Sequence, residues 1–118
     1  MTTRKDFGSQ EFRPLTLGEL STPVLALHAL ATVHASLPAP SLSISTIYPD
    51  QLSLQFFGDL AAFEAWREAL SIEPGGIEYG EQSGGRTRVL TGYTEYAGAR
   101  IRLTAYGDVL IATAGGGA

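Results

Sequence analysis

The feature that most constrains the fold is an alternation of apolar and polar residues with a period of two, in the stretch SLSISTIYPDQLSLQFFG (residues 41–58). Leu42 and Ile44 alternate with serines before a Pro-Asp pair, and leucines and a phenylalanine alternate with serine and glutamine after it. This period is typical of strands that bury one face. The stretch therefore predicts a β-hairpin with an apolar inner face and a polar outer face.

The register of this hairpin follows from the requirement that apolar side chains share one face. A two-residue Pro-Asp loop would place Ile44 opposite Gln55 and mix the two faces. A three-residue loop at 48–50 instead places Ile44 opposite Leu54. Because a slip of one residue turns a whole strand over, we expect the longer loop. The outer face then carries small uncharged side chains, which we expect to contact solvent: Ser41, Ser43, Ser45, Gln51, Ser53 and Gln55.

A helix is predicted before the hairpin. Pro23 suits the first helical position, where a missing N–H costs nothing, with Ser21 or Thr22 as the N-cap. The helix is expected to run to about Ser36, because Pro38 prevents its continuation. Its predicted inward stripe consists of Val24, Leu27, Leu30, Ala31 and His34.

A second helix is predicted after the hairpin. Asp59 is its expected N-cap, and the run Pro-Gly-Gly at 74–76 stops it. Glu64, Arg67 and Glu68 are expected to face water. The inward stripe is predicted to be Ala62, Phe63, Trp66, Ala69 and Leu70, with Trp66 as a main anchor of the core.

The C-terminal third is predicted to form strands separated by glycine turns, at 77–80, 87–96, 99–106 and 109–113. The element order α-β-β-α-β-β-β favours an α+β fold, a two-layer sandwich with two helices packed on one face of an antiparallel sheet of about five strands. We expect one globular domain over 15–113, a flexible tail at 1–14 and a disordered end at 114–118.

Composition excludes several classes of function. The chain has 118 residues, no cysteine and a net charge of −4. Without cysteine there are no disulfides, no thiol catalysis and no zinc site that needs sulfur. The negative charge argues against a protein whose whole surface binds nucleic acid, because that affinity depends on neutralising phosphates. Seven arginines against one lysine, with many alanines and glycines, indicate a GC-rich genome.

Nothing in the sequence indicates secretion or a membrane. The N-terminal segment MTTRKDFGSQEF has two cations but no apolar run behind them. The most apolar segment, PVLALHALATVHASL, is shorter than the roughly 20 residues that a membrane span needs. We therefore expect a soluble cytoplasmic protein that does not bind a membrane.

The stretch GEQSGGRTRVL (residues 80–90) allows two interpretations. A phosphate loop points backbone N–H groups at an anion, usually where a helix begins, and here Arg86 and Arg88 would add charge after Gly84 and Gly85. The residues after the glycines are strand-like, however, and the Lys-Ser/Thr pair of a P-loop is missing. Adjacent glycines suit a hairpin turn, because glycine adopts a positive φ without strain. We predict the turn and keep these four residues as an alternative anion contact.

The histidines do not indicate a site. His28 and His34 lie on the first predicted helix at a spacing that leaves them roughly 120° apart, too far around the helix for a shared metal. We expect His34 to pack at the edge of the core and His28 to face solvent. No spacing implies a nucleophile with an acid–base partner. The sequence therefore predicts a protein that is not an enzyme, without metal or cofactor.

The strongest candidate for a function is the outer face of the hairpin at 87–106, which carries Tyr93, Glu95, Arg100, Arg102 and Tyr106. Tyrosine and arginine are common at the centre of protein interfaces, and single-stranded nucleic-acid binders use the same residues. An ordinary solvated face, with Glu95 paired to Arg100, is a third interpretation.

We expect a small interaction or regulatory module that binds a protein through this face, either a partner or a second copy in a homodimer. The alternative is a nucleic-acid-associated protein that uses the same face together with the GGRTR turn. A third hypothesis, an enzyme that acts at a cleft near His34, would require a pocket there.

Overall fold

A five-stranded sheet with two helices on one of its faces forms the fold. The computed structural model describes residues 14–82 and 84–108. After a short 3₁₀ turn, the elements follow in the order α1 (Ser21–Val33), β1 (Ser41–Ser45), β2 (Tyr48–Phe57), α2 (Leu60–Ala69), β3 (Glu78–Gln82), β4 (Thr87–Tyr96) and β5 (Ala99–Asp108). This confirms the predicted α+β class and the predicted order of elements.

The strands lie in the order β1-β2-β5-β4-β3. Three of the four neighbouring pairs are antiparallel, as predicted. The exception is the pair β2 and β5, which runs parallel next to the middle of the sheet. Parallel neighbours need a crossover connection, and α2, β3 and β4 all lie within it. The last strand of the described chain therefore inserts between the two hairpins and joins them into one sheet.

The core lies between this sheet and the helices. Leu52, Leu54, Ile101 and Leu103 are fully buried on β2 and β5, and both helices contact these two strands. Removing such a side chain from water contributes about 1.5–3 kcal/mol to stability. The apolar residues of the alternating pattern therefore form the sheet side of the core.

The first hairpin has a shorter loop than predicted. The loop consists of residues 46–47, and β2 already includes Pro49. Leu54 lies opposite Leu42, whereas Ile44 was the predicted partner, so the prediction was wrong by two residues. Proline is tolerated near the start of a strand, and it does not mark the turn here. Because the shift is an even number, residues 41–43 and 53–55 keep their predicted faces, but the register changes again between Ser43 and Ser45, and Ser45 lies opposite Tyr48.

The helix α1 begins earlier and is turned differently from the prediction. It begins at Ser21, so Pro23 lies in its first turn, where the absent N–H has no helical partner. Pro23, Ala26 and Leu30 are buried, whereas Val24 and Ala31 are exposed, which corrects the predicted stripe. The small Ala26 side chain, fully buried, lets the helix lie close to the sheet.

The helix α2 agrees with the sequence at its start and along its inner face. The Asp59 Oδ1 atom accepts a hydrogen bond from the Ala62 N–H at 3.0 Å, which confirms the predicted N-cap. Phe63 and Leu70 are also buried, as predicted.

Arg67 does not face water as predicted. Its side chain is 12% exposed and forms an ion pair with Glu64 at 2.9 Å. One guanidinium nitrogen also donates to the Ile72 carbonyl oxygen at 2.7 Å. Basic side chains near a helix C-terminus commonly satisfy carbonyls in this way. Arg67 therefore stabilises the end of α2 and is not a surface charge.

Trp66 closes the core beneath the segment that joins α1 to β1, which confirms its role as an anchor. The indole is 5% exposed, and its Nε1–H donates to the Pro38 carbonyl oxygen at 2.7 Å. The half-buried His34 ring lies 6.0 Å from the indole, at the edge of the core as predicted. His28 is exposed, also as predicted.

The two C-terminal hairpins turn through residues with a positive φ. Gly84 and Gly85 have φ of 68° and 88° between β3 and β4, which confirms the predicted turn. Ala97 and Gly98, with φ of 53° and 83°, join β4 to β5 in a two-residue loop. Two positive φ values are the signature of a type I′ turn, whose twist matches that of the strands.

Several predictions lie outside the described residues. They concern the tail at 1–13, the strand at 109–113 and the end at 114–118. Within the described ranges, no helix has both the length and the apolar character needed to cross a membrane.

Replacing Trp66 by alanine is expected to lower the free energy of unfolding by about 3–5 kcal/mol, because a large buried side chain is lost. Trp66→Phe keeps most of the apolar contact but loses the hydrogen bond to Pro38, so its loss should be smaller. Chemical denaturation followed by far-UV circular dichroism measures both. An unchanged midpoint for the alanine variant would mean that this side chain is not packed in the core.

Gly92 tests the packing of β4 against the chain that follows α2. A Cβ atom at Gly92 would lie 2.6 Å from the Ile77 Cδ1 atom and 3.3 Å from the Ile72 Cγ2 atom. Gly92→Ala should therefore destabilise the protein by about 1 kcal/mol, the lower end of the cost of overpacking, because the end of the Ile77 side chain can move aside. Gly80→Ala is the matched control, because a Cβ atom there meets nothing within 4 Å, and its effect should stay within about 0.5 kcal/mol. Equal stability of both variants would contradict this packing.

Candidate functional site

The open face is the face of the sheet opposite the helices, and no described helix covers it. Strand register places Ser53 beside Arg102 and Arg102 beside Tyr93, so the outer faces of both predicted hairpins form one continuous surface. The strands β1, β2, β5 and β4 contribute Ser41, Ser43, Gln51, Ser53, Gln55, Phe57, Arg100, Arg102, Thr104, Tyr106, Val89, Thr91, Tyr93 and Glu95. The sequence predicted each half of this surface but not their junction, which depends on the parallel pairing of β2 and β5.

One tyrosine orients two arginines on this face. The Arg100 Cζ atom lies 4.4 Å from the centroid of the Tyr93 ring. The Arg102 Nε–H donates to the Tyr93 hydroxyl oxygen at 3.3 Å. A guanidinium over an aromatic face is attracted by the negative charge density of the ring. Tyr93 therefore holds both cations at the same end of the open face.

A polar concavity of about 350 Å³ lies at these residues. Gln51 lies opposite Arg100 in the register of β2 and β5. The concavity, called the arginine pocket below, is lined by Tyr48, Gln51, Tyr93, Arg100 and Arg102. Tyr48 and Gln51 come from β2 and the other three from the β4–β5 hairpin, so the pocket exists only because these strands are neighbours.

The arginines of the pocket have no acidic partner within the described part of the chain. Glu95 lies opposite Arg100 in the register of β4 and β5. Among residues 14–82 and 84–108, no ion pair joins Glu95 to Arg100. The ion pair found there joins Arg67 to Glu64 on α2. The cross-strand pairing of Glu95 with Arg100 is therefore present as a strand register but not as an ion pair.

Tyr106, which the sequence placed with the other candidates, lies near the far end of the open face. Arg102 and Tyr106 are four residues apart on one strand, which corresponds to about 13 Å. The Tyr106 ring stacks on the Phe57 ring at 5.1 Å with an interplanar angle of 8°, and Phe57 is 64% exposed. We call these two rings the aromatic pair.

Phe57 was missed by the sequence analysis. The alternation placed Phe56 inside, which by itself requires the next residue to point outward. The sequence Phe56-Phe57 therefore already indicated an exposed phenylalanine at position 57.

Between the two ends, the face is made of small polar side chains. Thr104 is fully buried, and its hydroxyl oxygen has no hydrogen-bond partner among the described residues. Thr91 and Gln55 lie on either side of it in the register. The centre of the face is thus polar, and its two ends carry the larger side chains.

The GGRTR turn uses its backbone donors to close the hairpin. The N–H groups of Gly85 and Arg86 both donate to the Gln82 carbonyl oxygen at 3.1 Å. Arg86 is exposed at this turn. Arg88 lies opposite Gly107 in the register and points to the helix side of the sheet, with its Nε atom buried and unpartnered among the described residues. Arg88 therefore cannot act together with the open face, which corrects the combined nucleic-acid surface suggested by the sequence.

On the same helix side, the Tyr79 hydroxyl donates to the Glu81 Oε2 atom at 2.7 Å. This hydrogen bond is the main cause that raises the pKa of Tyr79 above its ordinary value, and burial adds to it. Both residues belong to the edge strand β3 and lie away from the open face.

Other kinds of site have little support in the described ranges. No group of three or more His, Asp or Glu side chains there is placed to hold a metal ion. The His34 ring lies 6.0 Å from Trp66 and 6.2 Å from Tyr96, at an apolar cavity of about 210 Å³ that has no acidic side chain in its lining. The open face is therefore the strongest candidate.

Comparisons of the chain with protein-family models, with curated proteins and with solved structures found no match. The function is therefore inferred from the physical chemistry of the open face.

The double change Arg100→Ala and Arg102→Ala is expected to leave the fold intact. Both side chains lie on the open face, and losing their contacts to Tyr93 should cost less than about 1 kcal/mol. Thermal unfolding of the double variant should therefore overlay closely with that of the parent protein. A large fall of the midpoint would show that these side chains support the sheet.

Proposed function

We propose that this protein is a small non-enzymatic module that binds another protein, or a second copy of itself, through the open face of its sheet. The observation that supports this most directly is the exposure of Phe57, 64% accessible, on a sheet whose opposite face is buried. Contiguous apolar surface beside arginines and tyrosines is characteristic of sites where proteins meet, and the stacked Phe57 and Tyr106 rings supply such a surface.

The size of the open face suits a protein partner. The five strands together contain forty residues. Each residue covers about 16 Å² of the sheet plane, so the face spans about 640 Å² before side-chain relief is added. A standard protein interface buries about 600–1,000 Å² of accessible surface on each partner. The open face is therefore large enough for one specific contact.

The chemistry of the face also supports a protein partner. The aromatic pair offers a flat apolar anchor, and such anchors carry much of the binding energy of an interface. The polar centre can form hydrogen bonds to a partner directly or through water. A typical interface contains about ten direct hydrogen bonds and a similar number of bridging waters. The arginine pocket adds charge at the other end, where it favours a complementary partner and one orientation.

A nucleic-acid partner is the second candidate, because Tyr93 could stack on a base while two arginines, without an acidic partner among the described residues, contact phosphates. Two acidic residues work against it on the same surface. Glu95 lies beside Arg100, and Glu78 lies opposite Thr91 on β3. The whole chain also has a net charge of −4, so the field beyond the pocket repels a polyanion.

We expect the exposed phenylalanine of the open face to control association. Phe57→Ser removes half of the aromatic pair, whereas Leu25→Ser removes an equally exposed apolar side chain (63%) on α1. Size exclusion with light scattering, run at low and high salt, measures self-association, and immobilised protein measures capture of a partner. Only Phe57→Ser should weaken association.

Two results would contradict the proposal. One is that Leu25→Ser weakens association while Phe57→Ser does not, which would move the interface to α1. The other is a parent peak with excess absorbance at 260 nm that high salt removes, which would favour nucleic acid.

A further inference from the structure

We propose that the arginine pocket binds an acidic segment of the protein partner, in which two carboxylates at alternate positions of an extended chain meet Arg100 and Arg102. The inference rests on the proposed function and specifies the chemistry of the partner. It also separates the face into an end that recognises charge and an end, the aromatic pair, that contributes apolar contact.

The first support is the number of hydrogen-bond donors in the pocket that have no partner among the described residues. A guanidinium carries five N–H donors. Among the described residues, Arg102 uses its Nε–H on Tyr93, and Arg100 contacts the face of the same tyrosine ring. The outer edges of both guanidiniums are thus available, and their geometry matches the two oxygens of a carboxylate.

The second support is that the cations are already oriented. Ordering a long side chain on binding costs about 0.5–1.5 kcal/mol. Tyr93 lowers this cost for both arginines, because it contacts one guanidinium through its ring and the other through its hydroxyl group. Tyr93 is therefore a positioning residue, and it need not touch the ligand.

The third support is spacing. Arg100 and Arg102 are two residues apart on β5 and point to the same side, which separates their Cα atoms by about 6.6 Å. Alternate side chains of any extended peptide are separated by the same distance. A segment with acidic residues at alternate positions can therefore place one carboxylate on each arginine.

Nearby acidic residues favour such a segment over a polynucleotide. Glu95 lies opposite Arg100 on β4, and Asp50 lines the adjoining concavity next to Arg100. A chain with a charge at every unit would bring phosphates close to these carboxylates. A peptide with uncharged residues between its acids avoids this repulsion.

The test uses three fluorescein-labelled probes and fluorescence anisotropy at low salt. They are an eight-residue peptide of alternating glutamate and serine, a peptide of the same composition with its glutamates contiguous, and an eight-nucleotide oligothymidylate. Arg100→Gln and Arg102→Gln should each weaken binding of the alternating peptide by about tenfold, the cost of one charge-assisted contact. Arg86→Gln, the matched control with the same change of charge at the β3–β4 turn, should change it less than twofold.

Two further variants separate direct contact from positioning. Glu95→Gln removes a competing carboxylate next to Arg100 and should strengthen binding of the alternating peptide about threefold. Tyr93→Phe keeps the ring under Arg100 but removes the hydroxyl group that holds Arg102, so binding should weaken by less than the loss of either arginine. Far-UV circular dichroism of each variant checks that the fold is intact.

Three outcomes would overturn the inference. Equal weakening by Arg86→Gln, or equal affinity for the peptide with contiguous glutamates, would mean that the pocket senses only the overall charge. Tighter binding of the oligothymidylate, with the same dependence on Arg100 and Arg102, would assign the pocket to nucleic acid. If the alternating peptide does not bind while Phe57→Ser still abolishes protein association, the inference fails and the proposed function stands. If the alternating peptide does not bind and Phe57→Ser also leaves protein association unchanged, the proposed function itself is contradicted.

Discussion

The structure depends on the parallel pairing of β2 with β5. This pairing brings Leu52, Leu54, Ile101 and Leu103 together in the middle of the sheet, where all four are fully buried. Both helices pack on these strands, so one pairing supplies most of the surface that the helices need to bury. Without it, the sheet would divide into the β1–β2 hairpin and the three-stranded unit β5-β4-β3, and an isolated two-stranded hairpin is rarely stable in water.

The same pairing creates the open face. Side chains alternate across a strand, so a strand that gives its leucines to the core must give the intervening residues to the other side. On β5 the intervening residues include Arg100 and Arg102, and on β2 they include Gln51 and Phe57. The arginine pocket and the aromatic pair are therefore consequences of core packing, held in place by the most buried part of the fold.

Local sequence rules predicted the elements well because each rule acts over a few residues. Alternation and glycine turns gave the β4–β5 hairpin with both of its faces, and Asp59 marked the start of α2. Strand order was not predictable in this way, because it depends on contacts between distant segments that no local pattern encodes. The position of Arg67 was wrong for a related reason: helical periodicity placed it outside, but the chain after α2 folds back and offers it the Ile72 carbonyl.

The candidate site was predicted in part. Tyr93, Arg100 and Arg102 were assigned to one face from alternation alone, and their geometry agrees with that assignment. The pocket itself was not predictable, since Tyr48 and Gln51 come from a strand that becomes a neighbour only through the crossover. Arg88 was grouped with the face because of its proximity in sequence, but the register of β4 turns it to the helix side.

The most direct test of the central claim is to measure how reactive the exposed aromatic rings are toward hydroxyl radicals, first in dilute purified protein and then inside cells that express it. Phe57 and Tyr93 lie on the open face, and Tyr79, 56% exposed on the helix side, is an internal reference. If the open face is an interface, Phe57 and Tyr93 should become protected in cells while Tyr79 does not change. Protection of Tyr79 alone, with Phe57 and Tyr93 still reactive, would contradict the account.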